Sequence, residues 1–121
     1  MSPNLPDTQK QEIIQGLEQI PGGRLITWLK GQLSLEDLYY ASMYILDSAI
    51  SQVFLIAPEE EQLKLNEMME NNQFNAFFNH IYELLDQEKT DYAAVYLSRF
   101  TEGWNLGFDV MVKKFKLNLD A

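Results

Sequence analysis

Apolar residues recur at steps of three and four through most of this chain. The longest case lies between Thr90 and Asn118. There Ala93, Leu97, Phe100, Trp104, Phe108, Met111 and Phe115 share one helical face, with no proline between them. The period predicts a helix over about 91–117, capped by Thr90 and closed by Lys113, Lys114 and Lys116, where cations complement the helix dipole. A second long helix is predicted over about 34–57. Ser34 stands three residues before Asp37, as an N-cap should. Tyr39, Met43, Leu46, Ile50 and Val53 make its main stripe, and Leu35, Leu38, Ile45, Ala49 and Ile56 widen it. The polar remainder is narrow: Asp37, Asp47, Ser48 and Ser51. A helix apolar over so much of its circumference belongs at the centre of a bundle.

The shorter elements have clear punctuation. Residues 1–6, with Pro3 and Pro6, read as a flexible arm, and residues 7–121 as a single helical domain. Thr8 and Gln11 have capping-box spacing ahead of Ile13, Ile14, Leu17 and Ile20, a stripe weakened by Gly16 and ended by Pro21-Gly22-Gly23. Leu25, Ile26, Trp28 and Leu29 predict a short helix that stops at Gly31. Pro58 and Glu59-Glu60-Glu61 signal a helix start, followed by few apolar residues. Phe74, Phe77, Phe78, Ile81, Tyr82 and Leu85 then give the cleanest amphipathic pattern in the chain. The expectation is an all-α, compact single-domain bundle of five to six helices, with the two long ones packed together. Its predicted core is Leu38, Leu46, Ile50, Phe77, Phe78, Ile81, Leu85, Leu97, Phe100, Trp104 and Phe108.

Composition narrows what such a bundle does. With 121 residues, 46% hydrophobic, the chain has material for one real core. Without cysteine it has no disulfide, thiolate metal site or Cys nucleophile. The formal charge is −9 with nine Lys and Arg, so the molecular field opposes nucleic acid and anionic lipid. No apolar run reaches the ~20 residues of a membrane span, and the first residues lack a secretory pattern. The expected setting is the cytoplasm, with no nucleic-acid or membrane partner.

Candidate chemistry is sparse. His80, the only histidine, falls opposite Phe77, Phe78 and Ile81 and reads as a solvated surface residue; the order His80-x-x-Glu83 reverses the metal-binding helix motif. Glu59 to Glu61 read as helix-start electrostatics, since the alternating carboxylates and glycine of a calcium loop are missing. Asp47, Ser48 and Ser51 have no histidine near them in sequence and read as an exposed edge. Tyr40 and Tyr44 sit one turn apart; part-buried core tyrosines are the commoner case, and a cleft or partner surface the sharper one. Arg99 is expected to pair with a carboxylate on a neighbouring helix. Gly103 and Gly107 lie four apart on one face and suit close approach of another helix. No catalytic, cofactor-binding or metal-ligating set emerges.

The sequence therefore points first to a non-enzymatic interaction module, an adaptor, assembly factor or inhibitor that meets another protein through an acidic-rimmed helical face. The candidate contacts are Tyr40, Tyr44, Leu55, Arg99, Leu106 and Val110, which fall off the main stripes of the two long helices, and homodimer formation is one way to cover them. The alternatives are a small-ligand regulatory bundle with a pocket edged by Tyr40, Tyr44 or Arg99, and an enzyme of unknown class.

Overall fold

Six α-helices account for most of the described backbone, in a computed structural model that describes residues 5–20, 22–70 and 74–118, with the side chains of all of these but 69 and 74–77. They are α1 (Asp7–Glu18), α2 (Arg24–Lys30), α3 (Leu35–Ile56), α4 (Glu59–Glu70), α5 (Phe74–Asp86) and α6 (Thr90–Lys114). No strand occurs among the described residues, so the all-α expectation holds.

Local signals explain most boundaries. The Ser34 hydroxyl accepts the Asp37 N–H at 3.3 Å and opens α3, whose ladder ends at Ala57, ahead of Pro58. Gly31 closes α2. Two caps differ from expectation. α1 begins at Asp7, because the Pro6 carbonyl already accepts from Gln9 and Lys10; Thr8 is inside the helix and no capping box forms. Likewise Thr90 is the first residue of α6, preceded by Lys89 with no side-chain cap. The chain reaches that start through a tight left-handed turn. Glu88 has φ +61°, and the Lys89 N–H donates back to the Leu84 carbonyl at 2.8 Å, which satisfies an end carbonyl of α5.

α3 and α6 form the largest interhelical interface and cross antiparallel. A Cβ on Gly103 would run into the Ser48 carbonyl, Ala49 Cα and the Gln52 side chain. One on Gly107 would come within 2.9 Å of Ile45 Cα and 3.0 Å of Ser48 Cβ. Close internal packing is therefore what the glycine pair is for. The other helices close over this pair, around one core that all six share. Trp104 lies at its centre, stacked on Phe100 at 5.7 Å and set against the turn at Gly22, which has φ +88°. Phe108 meets the half-buried Trp28 edge-on at 5.8 Å.

Of the predicted core, Leu38, Leu46, Ile50, Ile81, Phe100, Trp104 and Phe108 are buried, and Phe78 and Leu97 are half-buried. The Phe77 side chain lies outside the described residues, as do residues 1–4 of the expected arm. Leu85 corrects the expectation: it is exposed, as is Tyr82. α5 is turned so that His80, Ile81 and Leu84 face inward, with Phe78 packed against the same core.

Candidate interaction face

The antiparallel seam fixes which residues of α3 and α6 lie side by side. Gly103 is at Ser48, Ala49 and Gln52, Gly107 is at Ile45 and Ser48, and Tyr40 is at Phe115 and Lys114. By helical register, Tyr40, Tyr44 and Leu55 line the flank of α3 away from the core, and Arg99, Leu106 and Val110 the matching flank of α6. All five apolar or aromatic members are exposed, from 37% at Tyr44 to 73% at Leu55. Val95, another exposed apolar residue on α6, extends the strip and was missed in sequence because it sits beside the Leu97–Phe100 stripe.

Three residues behave differently from expectation. Tyr40 and Tyr44 are not core tyrosines. The Tyr40 ring packs edge-on against Phe115 at 6.4 Å while Lys114 Nζ lies 5.5 Å from its centroid, so the ring is held in place but open to solvent. Arg99 finds its carboxylate on its own helix, with Nη1 3.6 Å from Glu102, because the neighbouring stretch of α3 offers no acid. Asp47, Glu102 and Asp109 are exposed acids around the strip, and Asp47 has no ion-pair partner among the described residues.

Comparison with protein-family models, curated proteins and solved structures finds no match.

Charge is unevenly placed. Residues 59–91 carry nine acidic and two basic side chains, most of the net −9. The α3–α6 face is less acidic, with Arg99, Lys113 and Lys114 set against Glu36, Asp37, Asp47, Glu102 and Asp109. The acidic surface thus belongs mainly to α4 and α5.

His80 is the other correction. Its side chain is only 8% exposed, and its Nε2 lies 2.7 Å from Glu61 Oε2 on α4. The separation is that of a hydrogen bond, but the N–H is not aligned on the oxygen, and neither atom has another partner among the described residues. Its Nδ1 lies 3.7 Å from Glu83, and Tyr96 of α6 tilts toward the ring at 6.5 Å. The Tyr96 phenol is pushed up to about 12, first by burial, then by the Glu61 charge and by Tyr92. Sequence assigned His80 to solvent because the polar side of α5 is its own; only the packing of α4 reveals the carboxylate opposite it. The cluster sits where α4, α5 and α6 meet, and none of its residues lines the hollows described below. No group of three or more His, Cys, Asp or Glu is placed to hold a metal among the described residues. No described helix is long and apolar enough to cross a membrane.

Hollows occur elsewhere. One of about 400 Å³ lies between α1, α2 and α3 over Ile14, Leu33, Leu35 and Leu38, where the rim residue Lys30 already pairs with Glu18 at 3.4 Å. Another of about 360 Å³ runs between α3 and α4 beside Leu55. Neither is edged by Tyr40, Tyr44 or Arg99, where a small-ligand site was the alternative expectation.

Proposed function

We propose that this chain is a non-enzymatic protein–protein interaction module that docks through the outer face of α3 and α6, in the cytoplasmic setting expected from sequence. The observation that carries the reading is the alignment of exposed apolar side chains on both flanks of one tightly packed seam: Tyr40, Tyr44 and Leu55 on one helix, Val95, Leu106 and Val110 on the other. Scattered surface leucines need no explanation, but exposed apolar side chains gathered on both flanks of one rigid helix pair, here with Asp47, Ser48 and Ser51 between Tyr44 and Leu55, are material for an interface. The rim of Asp47, Glu102, Asp109, Arg99 and Lys113 has the mixed polarity of an interface edge.

The test compares immobilised wild type with Leu106→Glu, a charge at the middle of the strip, and with Leu63→Glu, an equally exposed site on α4. Proteins retained by wild type and Leu63→Glu but lost with Leu106→Glu support the reading. A set of retained proteins that Leu106→Glu and Tyr44→Glu leave unchanged removes it.

A further inference from the structure

We propose that the hollow between α1, α2 and α3 is a binding site for an uncharged amphiphile, an apolar body of about six to eight carbons with a carbonyl or amide head. It shares no residue with the docking face and stands independently of it.

The walls are held by contacts within the fold. Ile14 and Leu38 belong to the core, and Leu33 and Leu35 pack against it half-buried. Leu33 lies in the connection between α2 and α3, which is tied down at both ends. The Gln32 and Leu33 N–H groups donate to the Leu29 carbonyl at 2.9 and 3.0 Å, and Ser34 caps α3. α1 is anchored on both sides of the hollow. Its Glu18 accepts from the Thr27 hydroxyl at 2.7 Å and pairs with Lys30 of α2, while Lys10 Nζ lies 5.8 Å from the centroid of the Tyr39 ring on α3. Between these ties the three helices part over Gln11, Ile14 and Gln15. The space left is about 400 Å³, within the roughly 300–1,000 Å³ of small-molecule sites.

The lining selects the chemistry of the ligand. Four aliphatic side chains suit an alkyl body rather than a sugar or a nucleotide. Among the described residues of the lining Lys30 alone is ionisable, and Glu18 matches its charge at 3.4 Å. A cationic ligand would meet the Lys30 ammonium. An anionic one would find that ammonium already neutralised, with Glu12 and Glu18 along the adjoining groove and a molecule of net −9 around it. A neutral head avoids both costs. Its oxygen can accept from an ammonium N–H that Glu18 does not use and from the Gln11 or Gln15 amide, and an amide head can donate back to a glutamine oxygen.

Titration of the isotope-labelled protein with three six-carbon probes, hexanamide, hexanoate and hexylammonium, tests the site through its amide chemical shifts. Hexanamide should saturate with a Kd on the order of 1 mM, as about eight non-hydrogen atoms permit. It should move the backbone amides of Ile14, Leu33, Leu35 and Leu38 and the side-chain amides of Gln11 and Gln15. Hexanoate and hexylammonium should bind severalfold more weakly. Leu35→Glu puts a carboxylate on the wall at the first residue of α3, where the helix dipole favours an acid, and should weaken hexanamide severalfold. Gln15→Trp, at an exposed rim position, should weaken it by filling the mouth and touches no buried residue, so the test survives if Leu35→Glu fails to fold. Leu106→Glu should leave the titration unchanged, which keeps this site and the docking face separable. The proposal is overturned by shifts that stay linear to about 20 mM, by shifts spread outside the hollow, by tighter binding of either ion, or by hexanamide binding that neither folded variant weakens.

Discussion

Glycine has opposite meanings at two places in this chain. At Gly103 a methyl group meets α3 backbone, which cannot move aside without shifting the central helix pair. At Gly16, on α1, a Cβ meets nothing within 4 Å. Gly103→Ala should therefore lower stability by about 2 kcal/mol, overpacking outweighing the gain in helix propensity. Gly16→Ala should raise it by about 0.5–1 kcal/mol, since only unfolded-state entropy changes. Urea unfolding of the two variants checks both signs; equal shifts in one direction would mean that the glycines differ in nothing but propensity. The spacing of Gly103 and Gly107 was legible in sequence as a close approach, because helical period alone puts both on one face. The identity of the backbone they touch was not, since register between two helices 50 residues apart is set by packing.

At the scale of elements, α3 and α6 were readable because each carries a stripe long enough for period to dominate, and their mutual packing followed from having the most apolar surface to hide. α4 and α5 were not. Among the described side chains of α4 only Leu65 is fully buried, with Met68 packed at the core edge; the Gln62 side-chain amide donates to the Phe54 carbonyl at 3.0 Å, and Glu61 lies against His80. α5 faces the core with Phe78, Ile81 and Leu84, which carries His80 in beside Glu61 and leaves Tyr82 and Leu85 out. Replacing Glu61 removes a close but poorly aligned contact to the buried His80, a loss of about 1 kcal/mol. Glu61→Ala should show it as faster amide hydrogen exchange in α4 and the facing turns of α5, with α3 and α6 keeping their protection. Uniform acceleration through all six helices would mean that α4 opens only with the whole molecule.

Over the whole molecule, the most direct electrostatic consequence is alkaline. An unfolded tyrosine ionises near 10, whereas Tyr96 in the fold is held up to about 12 by burial, with Glu61 and Tyr92 adding repulsion to a phenolate. The folded state thus keeps the phenolic proton over a range in which the unfolded state releases it. The stability this provides is complete below about pH 10 and is lost as pH rises toward 12. Tyr39, raised in the same direction by burial, adds to the slope. The residue sits where α4, α5 and α6 meet, so its ionisation would put a negative charge beside Glu61 in the only part of the fold already dense in acids. Urea midpoints should be flat from pH 8 to 9.5 and fall steeply above pH 10. Tyr96→Phe, which cannot ionise, should start from a similar stability and flatten the fall. If the variant falls as steeply as wild type, the alkaline loss comes from general charge repulsion across a molecule of net −9, and the Tyr96 site contributes nothing special to it.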